Sequence, residues 1–158
     1  MFAMLEQYSL RDFQNDRELL AGLIERNVHI KTSVVVEDEF EKGDRKLLNF
    51  GHTLGHAIEN VYQLLHGHAI SIGMMAAASF SEQLSGFTLQ EKQRLKLLLE
   101  KYELPTAKEF DTAKVWSLLK MDKKRASSEM NFILLQTVGK AVIKPIPLTQ
   151  LEELIQNL

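Results

Sequence analysis

Cysteine is absent from the 158-residue sequence, and proline occurs only three times. Without cysteine the chain has neither a disulfide framework nor a thiolate metal site, so a metal ion has to be bound by histidine or carboxylate side chains. No linker rich in proline, glycine or serine interrupts the sequence. Because 45% of the residues are hydrophobic, we predict one domain with its own core over residues 1–158.

An excess of charge of one sign is also lacking, because 19 Lys and Arg residues stand against 21 Asp and Glu residues. The net charge of −2 and the pI near 6.2 give no reason to expect nucleic acid or an anionic membrane as a partner. The longest strongly apolar stretch, Ala69 to Phe80, contains Ser71, Gly73 and Ser79 and is too short to span a bilayer. The N-terminus has no signal-peptide pattern, and we predict a cytoplasmic protein.

Hydrophobic residues recur with a helical period along most of the chain, which predicts a mainly α, multi-helix domain. Asn15 or Asp16 can cap a first helix, and a second is predicted from His29 to Phe40. The three valines at 34–36 would equally fit a strand. A long helix from about His68 to Leu84 is apolar on nearly all sides, which predicts that it is buried.

The second half of the chain carries clear boundary signals. Thr88 and Glu91 form a capping box, and Asp111 can cap a later helix. The segments 132–136 and 141–144, separated by a turn with Gly139, predict one small β-hairpin near residues 132–144. A short helix over residues 148–158 is predicted to close the chain.

A polar stripe runs through residues 45–59, RKLLNFGHTLGHAIE. Arg45, Asn49, His52 and His56 follow one another at intervals of four, three and four residues, which predicts that all four lie on one face of a helix. The residues between them are mostly apolar, and two glycines within the predicted helix indicate that something approaches its backbone closely. The stripe therefore predicts nitrogen ligands and hydrogen-bond donors presented to an enclosed ligand.

Four of the five histidines fall between His52 and His68. Histidine pairs at this spacing also occur for purely structural reasons. Here His52 and His56 share a helix face, and a short connection lets His66 fold back towards His52. Neutral imidazole binds Zn²⁺ well, and a catalytic zinc site takes three protein ligands. The clustering therefore favours a metal site over a structural role.

The segment KTSVVVEDEFEKGDRKLLNFGHTLGHAIE and the following HGHAISIGM resemble the C-terminal domain of the 3-dehydroquinate synthase family. The later DKK and FILLQTVGKAVIKP agree in order and spacing, so the resemblance extends over essentially the whole chain. It implies the conversion of DAHP, a seven-carbon phosphorylated keto acid, to 3-dehydroquinate with loss of phosphate. This is a carbon–oxygen lyase reaction of the shikimate pathway, which leads to the aromatic amino acids.

The resemblance also implies cofactors. The family uses NAD and a divalent metal, Zn²⁺ or Co²⁺, in a cleft between an N-terminal NAD-binding domain and this helical domain. It implies that the NAD site and a third metal ligand, a glutamate, lie upstream of this sequence. We therefore expect the chain to be the C-terminal part of a homodimeric enzyme. By itself we expect it to be inactive and to bind zinc weakly through two ligands.

Individual residues take roles from the same resemblance. His52 and His66 correspond to metal ligands. The resemblance therefore replaces the pair that helix spacing alone suggests, His52 with His56. His56 corresponds to a histidine that hydrogen-bonds the substrate and assists proton transfer, whereas His68 stands where the family usually has glutamate. The remaining substrate-binding and catalytic positions are Lys31, Glu41, Arg45, Asn49 and Lys124.

Two other interpretations remain open. Another sugar-phosphate cyclase of the same superfamily would act on a heptulose or hexose phosphate and make a cyclitol. A stand-alone helical metal-binding domain would have no catalytic activity.

Overall fold

The computed structural model describes residues 1–122 and 128–158. It confirms the predicted mainly α domain with a β-hairpin near its C-terminus. Within the described residues, no helix combines the length and the hydropathy needed to cross a bilayer. In chain order, the elements are α1 (Phe2–Gln7), α2 (Leu10–Asn15), α3 (Arg17–Glu37), a 3₁₀ helix (Asp44–Asn49), α4 (His52–Tyr62), α5 (His66–Leu84), α6 (Leu89–Lys101), α7 (Thr112–Asp122), β1 (Glu129–Thr137), β2 (Lys140–Pro147) and α8 (Leu148–Gln156).

Helix α3 replaces the two separate elements predicted for residues 16–40. Its cap is the predicted one, because the Asp16 carboxylate accepts hydrogen bonds from the backbone N–H groups of Glu18 and Leu19. The valines at 34–36 continue the helix, which ends at Glu37. No residue of α3, all of which is described, is buried. In the part of the chain that the structure describes, the only strands, β1 and β2, pair with each other. The strand preference of the valines therefore does not decide the local structure.

The prediction of a single helix through residues 45–59 is wrong. Asp44–Asn49 form a 3₁₀ helix, and α4 begins only at His52. Gly51, between them, has a φ of +80°, a left-handed conformation that glycine adopts at low cost. Of the four side chains in the predicted stripe, only His52 and His56 therefore share an α-helix.

Helix α5 lies at the centre of the fold, as its apolar sequence predicts. It packs against α4, α6 and β1, and α7 also packs against α4. The Ser81 hydroxyl of α5 donates to the Ala77 carbonyl and accepts from the backbone N–H of Leu135, which ties α5 to the hairpin. The almost fully buried side chains of this core include Leu54, Ile58, Phe80, Val115, Leu134 and Ile155.

The hairpin is longer than predicted at both ends. Its antiparallel register pairs Ile133 with Ile143 and extends from the Glu129–Pro147 pair to the Thr137–Lys140 pair. Gly139 lies in the turn with a φ of +89°.

Three glycines allow α4 and α5 to approach each other closely. A Cβ atom on Gly73 would lie 2.1 Å from the carbonyl oxygen of Gly51 and 2.7 Å from the backbone nitrogen of Gly55. A Cβ atom on Gly55 would lie 2.8 Å from Ile70. The close approach inferred from the sequence is therefore that of a neighbouring helix.

We expect Gly73→Ala to destabilise the domain by about 3 kcal/mol, because the methyl group meets backbone atoms that cannot rotate away. Gly22→Ala is the matched control, since nothing lies within 4 Å of its added Cβ and the residue is in an exposed helix. That change should stabilise the domain by up to about 1 kcal/mol. Urea unfolding of the two variants and the parent measures both effects. If Gly73→Ala were as stable as Gly22→Ala, the close contact of α4 with α5 at Gly73 would be contradicted.

Glu91 joins the start of α6 to the end of β1. Its carboxylate accepts hydrogen bonds from the Thr137 hydroxyl, from the backbone N–H of Val138 at 3.0 Å and from Thr88. The hydrogen bond from Thr137, followed by those from Val138 and Thr88, lowers the pKa of Glu91 to about 2. The ionised carboxylate is therefore favoured in the folded state.

Because the pKa of Glu91 is lower in the folded than in the unfolded protein, its stabilising effect is present above pH 4.5 and is lost as the pH falls towards 2. We expect Glu91→Gln to be less stable than the parent at pH 7 and the difference to disappear near pH 2. Urea midpoints measured across this range test the prediction. Glu152→Gln is the control for the change in net charge, because Glu152 makes no hydrogen bond to the described residues. A stability difference between the parent and Glu91→Gln that stays constant with pH would refute the role given to the Glu91 carboxylate.

Candidate metal and substrate site

Three of the predicted histidines meet between the first two turns of α4 and the start of α5. His52 and His56 lie one turn apart on α4, and His66 is the first residue of α5. One ring nitrogen from each lies within 4.8 Å of the other two, and the ring centroids are 5.3 to 5.9 Å apart. The two histidines assigned as metal ligands are therefore close together, with His56 beside them.

Backbone and carboxylate oxygens orient two of these rings. Nδ1 of His52 lies 3.2 Å from the carbonyl oxygen of Phe50, and Nδ1 of His66 lies 3.1 Å from Oε2 of Glu59. Both oxygens can only accept, so Nδ1 is the donor in each contact and Nε2 takes no part in it. This is the usual arrangement behind metal-binding histidines.

Glu59 was missed as a site residue by the sequence analysis. The signal was present, because Glu59 follows His56 by three residues and so shares its helix face. It is also the first carboxylate along the polar stripe. Its partner, His66, lies on the next helix, so only the packing of α4 against α5 identifies the contact.

Two of these histidines, His52 and His56, line an open cleft of about 820 Å³. This volume lies within the range of sites that bind small molecules. Leu118, Leu119 and Met121 of α7 contribute most of the apolar lining. The polar lining comes from α4 and the residues before it, and consists of Asn49, His52, Thr53, His56, Glu59 and Asn60.

Glu41, another of the predicted site residues, is connected to the cleft through Asn49. Its side-chain Nδ2 donates a hydrogen bond of 2.8 Å to Oε1 of Glu41. Glu41 has a φ of +53°, which is uncommon for a residue other than glycine and often marks a functional loop. The amide oxygen of Asn49 remains available to accept a hydrogen bond from a ligand.

The loop that carries Glu41 and Arg45 is organised around Asp38. Its carboxylate accepts hydrogen bonds from the backbone N–H groups of Lys42, Gly43 and Arg45 at 2.8 to 3.1 Å. Partial burial opposes the charge, yet these three donors hold the pKa of Asp38 below its ordinary value. The Arg45 guanidinium donates to the carbonyl oxygen of Glu39 at 2.7 Å and does not line the cleft.

The other predicted residues lie elsewhere. Lys31 is exposed on α3, does not line the cleft, and makes no hydrogen bond or ion pair with a described residue. Lys124 lies outside the described residues. His68, two residues after His66 on α5, is half-buried and is not part of the histidine group. The structure thus brings together Asn49, His52, His56 and His66, with Glu41 attached through Asn49.

Comparison with known proteins supports the resemblance. The sequence model of the family described as "3-dehydroquinate synthase C-terminal" matches residues 1–125. The chain belongs to this family. Members of the family similar to it include the 3-dehydroquinate synthases of Methylacidiphilum infernorum (isolate V4), 44% identical over 145 residues, and of Campylobacter curvus (strain 525.92), 42% identical over 148 residues. These matches cover 87% and 91% of the chain, but 40% and 42% of the two relatives. The chain therefore spans about two fifths of their length.

Solved structures of related synthases share the fold. A 2-deoxy-scyllo-inosose synthase complexed with carbaglucose-6-phosphate, NAD⁺ and Co²⁺ is 28% identical, with a TM-score of 0.75 over 89% of this chain and 41% of that one. ValA, a 2-epi-5-epi-valiolone synthase from Streptomyces hygroscopicus with NAD⁺ and Zn²⁺ bound, has a TM-score of 0.73 over 89% of this chain and 40% of that one. It is only 19% identical and supports the fold alone.

We expect Asp38→Asn to loosen the loop before the site, because a neutral amide oxygen replaces a carboxylate that three N–H groups share. Hydrogen exchange of the amides of Lys42, Gly43 and Arg45 should become several-fold faster, while exchange in the α5 core stays unchanged. Glu39→Gln removes a neighbouring charge that binds none of these amides and is the control. Unchanged exchange in Asp38→Asn would show that the carboxylate does not hold the loop.

Proposed function

We propose that the chain is the metal- and substrate-binding part of a 3-dehydroquinate synthase, which converts DAHP to 3-dehydroquinate and phosphate. The observation that carries the proposal is the group of three histidines, of which His52 and His56 line a cleft of about 820 Å³. Membership of the family and 44% identity to a 3-dehydroquinate synthase support it. For the whole enzyme we propose a cytoplasmic homodimer.

The described side chains fit a divalent metal ion. His52 and His66 offer imidazole nitrogens, and Phe50 and Glu59 orient their rings. We assign these two histidines as the metal ligands, with a glutamate from outside this chain as the third. When bound, Zn²⁺ or Co²⁺ would supply a positive charge that polarises a substrate oxygen. NAD would be bound mainly outside this chain and would accept and return a hydride.

The polar residues at the cleft would handle the substrate. His56 is exposed and beside the two ligands, where a ring nitrogen can hydrogen-bond a substrate hydroxyl and carry a proton. Asn49, whose amide nitrogen is engaged by Glu41, would accept a hydrogen bond from a second hydroxyl through its oxygen. These contacts would fix the orientation of a polyhydroxylated acid beside the metal.

The basic residues would bind the charged ends of the substrate. Lys31, Arg45 and Lys124 are assigned to its carboxylate and phosphate groups, which are anionic at neutral pH. Arg45 would have to release the Glu39 carbonyl oxygen to reach the cleft.

A second candidate is another sugar-phosphate cyclase. The observation that favours it is the shared fold and 28% identity with a 2-deoxy-scyllo-inosose synthase. Identity to 3-dehydroquinate synthases is higher, at 36 to 44%, and we prefer DAHP as the substrate.

The test is a chimera in which residues 1–158 replace the matching segment of the Campylobacter curvus 3-dehydroquinate synthase. We expect it to release phosphate and form 3-dehydroquinate from DAHP in the presence of NAD⁺ and Zn²⁺ or Co²⁺. His52→Ala and His66→Ala should each lower turnover by at least about 100-fold and reduce bound metal, because each removes a direct ligand. His29→Ala, which removes an exposed histidine of α3, is the control.

Each alternative predicts a different result. Turnover of a heptulose or hexose phosphate in preference to DAHP would identify another cyclase. A folded, metal-loaded chimera that turns over neither substrate would favour a metal-binding domain without catalysis. Full activity in His52→Ala would contradict the assigned metal site.

A further inference from the structure

The three imidazole rings are close enough to share one cation. For any three atoms that are at most 4.8 Å apart, there is a point that lies no more than about 2.8 Å from each of them. Bonds from zinc to histidine nitrogen are about 2.0–2.1 Å long. Inward movements of less than about 1 Å per ring, which small side-chain rotations supply, would therefore form all three bonds.

We propose that His56 is a third metal ligand, so that His52, His56 and His66 together bind one divalent transition-metal ion on this chain. The inference rests on the proposed function for His52 and His66 and goes beyond it in adding His56. It replaces the expectation of weak binding through two ligands. Three histidines with one open position form a common type of zinc site.

His56 is free to take this position. Its side chain is exposed, lies on the same face of α4 as His52, and makes no hydrogen bond with the described residues. Turning its ring towards the other two therefore breaks no hydrogen bond within the described residues. The cost of ordering one exposed side chain is small compared with the free energy of a metal–nitrogen bond.

The charge around the site also suits a cation. Imidazoles bind a metal in their neutral form, and Oε2 of Glu59 lies 3.1 Å from Nδ1 of His66. Such a carboxylate increases the basicity of the imidazole and offsets part of the metal charge without being a ligand. Glu59 is therefore a positioning residue for His66 in this site.

His68 does not compete for the third position. It follows His66 by two residues on α5, which turns its side chain by about 200° around the helix axis. It is half-buried and lies outside the histidine group. His68→Ala is therefore a matched control that removes a neighbouring histidine from the same helix.

Binding through His56 would change its chemistry. The lone pair that bonds the metal cannot take up a proton at the same time. A carboxylate ligand arriving from outside the chain would displace His56 and free it for substrate. The three-histidine site is thus a resting arrangement of the same centre.

The test is a titration of the 158-residue chain with Co²⁺, followed by visible absorption, with Zn²⁺ competition to obtain its affinity. We expect one bound ion and the intense absorption of a four-coordinate Co²⁺ site. His52→Ala, His56→Ala and His66→Ala should each weaken binding by at least about 100-fold, and Glu59→Gln by about 10–100-fold. His68→Ala should bind like the parent. His56→Asp, which restores a ligand atom, should recover most of the affinity, and circular dichroism checks that each variant is folded.

Tight binding that survives His56→Ala but not His52→Ala or His66→Ala would overturn this inference and leave the two-ligand assignment intact. Tight binding that survives His66→Ala would overturn both. Affinity lost in His68→Ala, or no binding by the parent chain, would also refute a site built from His52, His56 and His66.

Discussion

The contact between α4 and α5 is the constraint on which the site depends. Gly73 lies so close to Gly51 and Gly55 that a single added methyl group would overlap backbone atoms. This close approach, together with the three-residue connection between the helices, brings the first residue of α5 beside the first two turns of α4. His66 meets His52 and His56 for this reason. A wider helix separation would leave the same histidines on the same helices but too far apart to share one ion.

Gly51 makes a second contribution, because its left-handed backbone turns the chain between the 3₁₀ helix and α4. The turn leaves the Phe50 carbonyl oxygen near the His52 ring and Asn49 at the wall of the cleft. Asp38 holds the preceding loop by three backbone hydrogen bonds, and Glu41 reaches Asn49 from that loop. The polar residues from 38 to 66 therefore act as one assembly with α4 and α5 as its support.

Local signals in the sequence predicted the features that depend on a few neighbouring residues. The caps at Asp16, Thr88 and Asp111, the Gly139 turn and the buried α5 are of this kind. The helix periodicity predicted that His52 and His56 share a face, but it could not detect the break at Gly51. That break depends on the fit of α4 against α5, which lies outside any local window. The contact of Glu59 with His66 is missed for the same reason, since it forms between two helices.

The position of His56 suggests why one helix face carries two histidines rather than one. A single histidine at residue 52, with His66, gives two ligands and a metal that depends on a third group for tight binding. A second histidine one turn later can complete the coordination or act on the substrate, but it cannot do both at once. Which role it takes depends on whether another ligand occupies the third position. In the proposed site, the spacing of four residues on α4 would therefore place the metal and the proton-transfer group within one exchangeable set of contacts. Phe50 and Glu59 contact the rings of the two remaining proposed ligands, His52 and His66.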